Sequence, residues 1–340
     1  MSKKLNVAIV GATGVVGETF IRVLEERKFP IENLYPLASA RSAGNLITFK
    51  NKQLEVEDLA EFDFSRADLA LFSAGSDIAE LYAPKAVAAG CVVIDNSACF
   101  RYDNEIPLIV PEVNAHRIGD YKKRGIIANP NCSTIQMVVA LKPIYDAVGI
   151  SRINVATYQS VSGTGKEAIS ELIAQVSDLL NGRPAKVEVY PQQIAFNAFP
   201  HIDKFEENGY TREEMKMVWE THKIMEDETI MINPTAVRVP VLYGHSEAIH
   251  LELKKPLTAE KARALLAKAP GVKVVDNIGK LSYPTALKDA VGHDEVFVGR
   301  IRQDISHPTG LNLWVVADNI RKGAATNAVQ IAEILQKEYL

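Results

Sequence analysis

The first 130 residues alternate short apolar runs with stretches in which apolar residues recur at helical spacing. We interpret the runs at residues 5–10, 34–38, 69–73, 92–95 and 126–128 as buried strands. The stretches at residues 16–27 and 78–89 are predicted to be helices. Because a strand covered on both faces is apolar throughout, this alternation predicts a parallel sheet with helices on its two faces.

From Arg152 the pattern changes to longer strands in which apolar and polar residues alternate. These strands are predicted at residues 153–159, 236–241, 248–253, 296–303 and 311–317. Such alternation is typical of a mixed or antiparallel sheet with one half-exposed face. A charged helical stretch is predicted at residues 203–225. A final helix at residues 322–337 carries an apolar stripe that we expect to pack on the first domain.

These patterns predict an α/β protein of two domains. The domain with the parallel sheet comprises residues 1–130 plus 320–340, which makes it discontinuous in sequence. An α+β domain with the mixed or antiparallel sheet comprises residues 131–319.

Three glycines, Gly11, Gly14 and Gly17, follow the first strand at the spacing GxxGxxG. Glycines in this position let the backbone turn sharply and approach a pyrophosphate, which binds at the helix N-terminus. A tight turn with close helix–strand packing would account for two of the glycines but hardly for the third. The first domain is therefore predicted to be of the Rossmann type and to bind a dinucleotide.

The residues after the second strand indicate which dinucleotide is bound. An NAD-binding domain usually has an acidic residue there to bind the ribose hydroxyls. Residues 38–44 contain no acidic residue, but they include Arg41 and Ser42, which suit a 2′-phosphate. A solvated surface arginine is the alternative. The missing acid favours NADP.

One cysteine lies where a strand ends and a helix is predicted to begin. Cys132 follows the turn at residues 129–131 and precedes an apolar helical stretch. Unpaired N–H groups and the helix dipole favour the thiolate, lowering a pKa of roughly 8.5 toward neutrality. The same N–H groups could stabilise an oxyanion. A buried inert thiol is the alternative, but three small polar neighbours favour a nucleophile.

Composition excludes several other classes of protein. The 38 basic and 42 acidic residues give a net charge of −4, which argues against a general nucleic-acid binder. Three cysteines are too few for a disulfide framework, and neither a signal peptide nor a membrane span is evident. We therefore expect a cytoplasmic enzyme. No metal-ligand spacing appears, and residues 160–167 lack the glycine and hydroxyl positions of a triphosphate-binding loop.

Four stretches together resemble the aspartate-semialdehyde dehydrogenase family of bacteria. They are GATGVVG at 11–17, NPNCST at 129–134, YQSVSGTGK at 158–166 and RVPVLYGHSEAIHLEL at 238–253. The resemblance implies NADP-dependent reductive dephosphorylation of L-aspartyl 4-phosphate to L-aspartate 4-semialdehyde through a cysteine thioester. It further implies a role in lysine, threonine, methionine and diaminopimelate biosynthesis, and assembly as a homodimer or homotetramer through the second domain.

The resemblance also assigns roles to individual residues. Cys132 is the nucleophile, Gln159 orients the substrate, and His245 is the acid/base partner. His245 is expected in a turn between two strands, and its unperturbed pKa near 6.5 would allow proton exchange near neutrality. Arg238 is expected inside an apolar strand, where a charge needs an anionic partner, either the substrate carboxylate or a structural ion pair.

Further residues are assigned to ligands by the same resemblance. Arg101 and Lys216 would bind phosphate and Glu213 the substrate amino group, although charges on a helix are usually solvated. The remaining assignments are Asn131 for the substrate and, for the cofactor, Gly11, Thr13, Gly14, Val15, Val16, Gly17, Arg41, Ser42, Ser73, Ser162, Gly163 and Asn319.

Three other functions compete with this one. N-acetyl-glutamyl-phosphate reductase shares the two-domain plan and the chemistry but has a different sequence around its cysteine. Glyceraldehyde-3-phosphate dehydrogenase typically has SCTTN around the thiol. A non-catalytic cofactor-binding regulator would have no need of Cys132, Arg238 and His245 together.

We predict that Arg41→Ala raises the Michaelis constant for NADP by about tenfold or more, because a bidentate contact to phosphate contributes on the order of 1.5–3 kcal/mol. Steady-state kinetics with NAD provide the control, since NAD lacks the 2′-phosphate and its use should change much less. Equal use of NADP and NAD by the unmutated protein would contradict the prediction.

Overall fold

The computed structural model describes residues 3–340, which form two compact units. The first unit comprises the described residues up to Asn131 together with Ala324–Leu340, and the second is Cys132–Gly323. The chain therefore passes twice between the units, once just before Cys132 and once just after Gly323. No helix among residues 3–340 is both long enough and apolar enough to cross a membrane.

The first unit is built on a six-stranded sheet in which every neighbouring pair is parallel. Its strands are β1 (Leu5–Val10), β2 (Ile31–Ala38), β5 (Glu57–Asp58), β6 (Leu69–Phe72), β7 (Val92–Asp95) and β8 (Ile126–Ala128), and β3 (Leu46–Phe49) and β4 (Lys52–Glu55) form a separate hairpin. The order β5-β2-β1-β6-β7-β8 reverses direction between β1 and β6. Ligands of open parallel sheets bind at such a reversal, beyond the carboxyl ends of the strands.

The predicted parallel sheet is confirmed, because β1, β6, β7 and β8 are almost entirely buried and apolar. The β3–β4 hairpin and β5 were not predicted from the sequence. These strands are short and largely exposed, so they lack the apolar signal that marks a buried strand.

Helices α1 (Val15–Glu26), α2 (Ser76–Ala88) and α3 (Pro111–Asn114) and the C-terminal α8 (Thr326–Glu338) complete the first unit. The apolar stripe of α8 enters the same core as β1 and α1. Arg27, just after α1, makes a two-pronged ion pair with Glu333 of α8, at 2.8 and 2.7 Å. The last helix is thus fixed to the first unit by apolar packing and by charge.

The second unit has a mixed six-stranded sheet in the order β10-β9-β11-β14-β13-β12. Its strands are β9 (Ile150–Gln159), β10 (Met231–Arg238), β11 (His245–Leu253), β12 (Val272–Val274), β13 (Val296–Gln303) and β14 (Gly310–Ala317). The pairs β10–β9 and β12–β13 are parallel and the other pairs are antiparallel, which confirms the predicted mixed sheet. Tyr158 and Trp314 lie partly exposed on one face, with ring centroids 5.6 Å apart.

Helices α4 (Cys132–Val148), α5 (Lys166–Leu180), α6 (Arg212–Met225) and α7 (Ala259–Leu266) belong to the second unit. The charged helix was predicted to begin at residue 203, but it begins at Arg212. Thr211 stops it from starting earlier by forming a capping box with Glu214, in which each side chain accepts a hydrogen bond from the other's backbone N–H.

Two further expectations about this unit were wrong. The strand predicted at 236–241 is shifted toward the N-terminus, so that Arg238 is the last residue of β10 and not an interior one. Pro240 lacks the N–H that a continued strand would need. His245 was expected in a turn, but it is the first residue of β11 and pairs with Ala317.

The tightest backbone contact near the glycine turn identifies a position where only glycine fits. A Cβ on Gly17 would lie 2.1 Å from the Gly11 oxygen and 2.8 Å from the Ala12 Cα. We predict that Gly17→Ala destabilises the protein by about 3 kcal/mol, at the upper end of overpacking effects, because the obstacle is backbone. Urea unfolding measures the change.

The control is Gly279→Ala, where the nearest atom would lie 3.6 Å from the new Cβ. That variant should unfold close to the wild-type midpoint. A Gly17→Ala protein as stable as the control would show that the turn can relax.

Candidate active site

Cys132 is the first residue of α4, so its position at a helix start agrees with the strand–turn–helix pattern of the sequence. Its side chain is partly exposed, and the close approach of Gly323 shapes the space around it. A Cβ on Gly323 would lie 2.9 Å from the Cys132 Cβ. Burial, by contrast, raises the pKa of Cys91 to about 12 and that of Cys99 to about 11. Those two thiols are protonated at neutral pH and unsuited to nucleophilic attack.

Next to Cys132, Ser133 links the start of α4 to two of the expected site residues. The Gln159 amide donates hydrogen bonds to the Ser133 hydroxyl at 2.8 Å and to the Glu213 carboxylate at 3.1 Å. Gln159 and Glu213 are both buried. The structure therefore brings the end of β9 and the first turn of α6 together at the start of the helix that carries the thiol.

Glu213 and Lys216 lie on the buried side of α6 and not on a solvated face. The Lys216 ammonium contacts the Glu213 carboxylate at 3.0 Å and the Asp203 carboxylate at 2.8 Å. Burial alone would favour the neutral amine, but attraction to Glu213 and Asp203 outweighs it and raises the pKa of Lys216. Lys216 is therefore a charged group held between two carboxylates.

Arg238 is a buried guanidinium, 4 % exposed, at the end of β10. Its Nη1 donates to the Ser160 carbonyl at 2.6 Å, and the Tyr190 ring centroid lies 5.6 Å from its Cζ. Within residues 3–340 no carboxylate pairs with Arg238, and its buried Nε has no hydrogen-bond partner. The structure therefore contains no ion pair at Arg238, and the unpartnered Nε–H is suited to an anionic ligand.

His245 is fully buried. Its Nδ1 lies 3.1 Å from the backbone nitrogen of Ser160 and 3.1 Å from the Ser160 hydroxyl. Burial, reinforced by the positive charge of Arg238, lowers the pKa of His245 to about 3. The pKa of this buried imidazole therefore lies below the unperturbed value near 6.5, and the ring is neutral at pH 7.

Asn319 forms hydrogen bonds with residues near His245. Its carboxamide oxygen accepts hydrogen bonds from Ser160 and Ser162 at 3.2 Å and from the Gly244 N–H at 2.9 Å. Gly163 is also close, since a Cβ there would lie 3.4 Å from the imidazole and 3.5 Å from Arg238 Nη1. Gly163, which the resemblance assigned to the cofactor, therefore lies beside the imidazole, and Ser162 and Asn319 are linked to it through Ser160 and Gly244.

In the first unit, the glycine turn fits the diphosphate of a dinucleotide. Gly11 has φ of +86°, a conformation that glycine adopts without strain, and a Cβ there would lie 3.0 Å from the Ser73 carbonyl. Gly14 occupies the N-cap position of α1 without a capping side chain. The first N–H groups of α1, at Val15 and Val16, are thus not covered by a side-chain cap, as a phosphate site at a helix N-terminus requires. Thr13 lies in this turn.

Arg41 and Ser42 lie in the turn that follows β2. The Ser42 N–H donates to the Ser39 carbonyl at 2.8 Å, which closes the turn. Arg41 is exposed and has no charged partner in the described part of the chain. Its guanidinium can therefore contact a ligand phosphate without first breaking an ion pair.

Arg101 and Asn131 are buried in the first unit. The Arg101 guanidinium donates to the carbonyls of Asn129 and Asn96, each at 2.9 Å. These two carbonyls orient the side chain.

Three residues of this site were not predicted from the sequence: Ser133, Ser160 and Tyr190. Ser133 and Ser160 lie in the stretches that carry the family resemblance, adjacent to Cys132 and Gln159, so adjacency could have identified them. Tyr190 lies in an irregular segment far from those stretches, and no sequence signal marks it.

Comparison with known proteins identifies the two units. Residues 6–121 match the model of the semialdehyde dehydrogenase NAD binding domain, and residues 141–322 match that of the semialdehyde dehydrogenase dimerisation domain. The chain is 79 % identical over 340 residues to an aspartate-semialdehyde dehydrogenase of Legionella pneumophila, covering 100 % of this chain and 98 % of the relative.

Solved structures agree with these sequence matches. The crystal structure of aspartate semialdehyde dehydrogenase II complexed with ASA from Vibrio cholerae has a TM-score of 0.98 and 58 % identity, with 100 % of each chain covered. The Candida albicans aspartate semialdehyde dehydrogenase with NADP has a TM-score of 0.77 and 26 % identity, with 98 % of this chain and 99 % of that chain covered.

The unpaired guanidinium leads to a prediction about stability. Burying a charge without a counter-charge costs free energy, so Arg238→Met should stabilise the ligand-free protein by about 1 kcal/mol. Arg263→Met is the control, because Arg263 pairs with the buried Asp276 at 2.8 Å and its removal leaves that carboxylate without its counter-charge. Thermal unfolding of both variants should shift in opposite directions. A lower Tm for Arg238→Met would show that the guanidinium is already compensated.

Proposed function

The chain belongs to the aspartate-semialdehyde dehydrogenase family, and from that premise we propose that it catalyses NADP-dependent reduction of L-aspartyl 4-phosphate to L-aspartate 4-semialdehyde and inorganic phosphate. Family membership makes the protein an oxidoreductase with a domain for a nicotinamide dinucleotide and a domain for dimerisation. The observation that carries the proposal is Arg238, a buried guanidinium without a counter-anion in the unit that Cys132 begins.

NADP is proposed as the cofactor because of the turn after β2. The strand ends at Ala38, so its last residue has no carboxylate for the ribose hydroxyls, and Arg41 is exposed and unpaired among the described residues. The Candida albicans relative, whose structure was solved with NADP, supports the same choice. When bound, NADPH supplies the hydride that converts an acyl thioester into the aldehyde.

The proposed chemistry uses Cys132 as a covalent nucleophile. The thiolate attacks the acyl carbon of the substrate, the carbon–sulfur bond forms, and the carbon–oxygen bond to phosphate breaks. After reduction at the same carbon, the carbon–sulfur bond breaks and the thiolate is restored. Two easier steps thus replace one difficult step. The N-terminal position of Cys132 on α4 favours the thiolate at both ends of the cycle.

Each of the remaining polar residues is proposed to bind a different group of the substrate. Arg238 binds the carboxylate through its unpartnered Nε–H, and Glu213 binds the amino group. Arg101 binds the phosphate, assisted by Lys216, while Gln159 orients the acyl group next to the thioester. Asn131, immediately before Cys132, contacts the substrate.

The product of this reaction serves lysine, threonine, methionine and diaminopimelate biosynthesis. We propose a homodimer or a homotetramer in the cytoplasm as the working assembly, on the basis of the dimerisation domain.

The second candidate is N-acetyl-glutamyl-phosphate reductase, which performs the same chemistry on a longer acyl phosphate. The NPNCST sequence and the high identity to aspartate-semialdehyde dehydrogenases argue against it. Initial rates with aspartyl phosphate and with N-acetyl-glutamyl phosphate distinguish the two functions, and we expect turnover of aspartyl phosphate only.

Cys132→Ser tests the covalent mechanism. An alcohol at this position lacks the reactivity of a thiolate, so turnover should be abolished while folding and NADP binding remain. The unmutated protein, given acyl phosphate without reductant, should show an acyl adduct on Cys132 by mass spectrometry. Cys99→Ser is the control and should keep its activity, because Cys99 has a raised pKa. Normal turnover by Cys132→Ser would refute the nucleophile.

A further inference from the structure

One aromatic ring lies against the buried guanidinium of Arg238. The Arg238 Cζ lies over the Tyr190 ring, 5.6 Å from its centroid. A cation within about 6 Å of an aromatic centroid is attracted to the negative face of the ring. Since no carboxylate among residues 3–340 pairs with Arg238, the groups that stabilise its charge are this ring and the Ser160 carbonyl, 2.6 Å from Nη1.

Tyr190 attracts the guanidinium through its ring and not as an anion. Burial raises the pKa of Tyr190 by more than Arg238 and Thr164 lower it. The phenol therefore keeps its hydrogen at neutral pH, and its hydroxyl donates to the Thr164 hydroxyl at 3.1 Å. No phenolate charge is needed to account for the contact with Arg238.

A ring and a carboxylate would have different consequences for ligand binding at Arg238. A carboxylate accepts hydrogen bonds from the N–H groups of a guanidinium and so occupies the donors that an anionic ligand needs. The Tyr190 ring offsets part of the cost of burying the charge, while the Arg238 Nε keeps no hydrogen-bond partner in the described chain. The charge is thus held in a buried position with a donor still available.

The ring belongs to an irregular segment, residues 186–199, that is attached to α5 by two buried side chains. The Glu171 carboxylate accepts hydrogen bonds from the N–H groups of residues 188 and 189, the first at 3.1 Å. The Gln175 carboxamide oxygen accepts from those of residues 194 and 195, each at 3.0 Å. These two attachments lie on either side of the aromatic residue.

Phe199, the last residue of this segment, fixes the ring relative to the arginine. The Arg238 N–H donates to the Phe199 carbonyl at 2.9 Å, and the Phe199 N–H donates to the Arg238 carbonyl at 3.2 Å. The Phe199 ring is buried and meets the Tyr190 ring at an interplanar angle of 65°, with centroids 5.8 Å apart. Tyr190 therefore has a defined position although it lies outside the helices and strands.

We propose that Tyr190 is a positioning residue for the substrate carboxylate, because its ring holds the Arg238 guanidinium in place and leaves the Nε–H available to the anion. This inference rests on the proposed function, in which Arg238 binds that carboxylate. The carboxylate and the reacting carbon belong to one small molecule, so a shift of the guanidinium also displaces the reacting carbon. A displacement of about 1 Å can cost on the order of a hundredfold in rate.

The attraction of the ring can be weakened without changing its shape. Tyr190→Phe removes the hydroxyl and is the reference, and phenylalanines with one, two or three ring fluorines are then incorporated at the same position. Fluorine withdraws electron density from the face that attracts the cation. We expect kcat/KM for aspartate semialdehyde, with NADP and phosphate, to fall stepwise to about a tenth of the reference. An unchanged kcat/KM across the series would overturn the proposal.

A second aldehyde tests whether the effect passes through the carboxylate. 3-Aminopropanal is aspartate semialdehyde without its carboxylate, so its kcat/KM should be low and the same throughout the series. An equal stepwise fall for both aldehydes would refute the assigned role, because Arg238 has no carboxylate to bind in 3-aminopropanal.

Tyr145→Leu is the matched control for Tyr190→Leu. The Tyr145 ring also lies beside a cation, the Lys142 ammonium at 5.9 Å, but it belongs to the last turns of α4. We expect Tyr190→Leu to lose at least as much kcat/KM as the trifluorinated ring, and Tyr145→Leu to match the unmutated protein. Equal losses in the two leucine variants would contradict a role specific to Tyr190.

Failure of the proposed function gives a different result. In that case the unmutated protein shows no turnover of aspartate semialdehyde, but the guanidinium remains observable by NMR of the protein labelled with ¹⁵N in arginine. Arg238→Met assigns the Nε–H signal. We expect that signal to be displaced by the ring current and to move in Tyr190→Leu. A signal that is identical in Tyr190→Leu and the unmutated protein would overturn the proposal, whether or not the protein is active.

Discussion

Strand register places the polar residues of the second unit at one edge of its sheet. β9 and β10 are parallel, so that Gln159 and Arg238, the last residues of each, pair with one another. β11 runs antiparallel to both β9 and β14, which brings His245, its first residue, opposite Ala317 at the end of β14. A shift of one residue in any pair would turn these side chains to the opposite face of the sheet. The site therefore depends on the alignment of four strands.

The same end of the sheet contains buried polar side chains that favour ligand binding more than they stabilise the fold. Arg238 and His245 are both buried, and in each of them one nitrogen, Arg238 Nε or His245 Nε2, has no hydrogen-bond partner in the described chain. Elsewhere in the unit, charge is compensated, as in the pairing of Lys216 with Glu213 and Asp203. A buried polar atom without a hydrogen-bond partner destabilises the ligand-free protein, and a ligand that forms the missing hydrogen bond removes that penalty.

In the first unit, the shape of the glycine turn depends on close backbone contacts between the turn, α1 and the residue after β6. Gly11 and Gly17 allow the turn after β1 to lie against α1 and against the end of β6 at distances that no Cβ would permit. The start of α1 is consequently left without a capping side chain at the point where the strand order reverses. The glycines that allow this close packing therefore also leave the helix start open for a phosphate.

The sequence alone determined the parallel sheet, the mixed sheet, the glycine turn and the position of Cys132 at a helix start. Each of these follows from local pattern, since apolar periodicity and turn residues act over a few positions. Tertiary structure decided what those residues do. That Arg238 has no counter-anion among the described residues, that Glu213 and Lys216 face inward, and that the His245 ring is neutral are consequences of neighbours distant in sequence. Burial and hydrogen-bond partners set protonation, and neither is encoded in the segment that contains the residue.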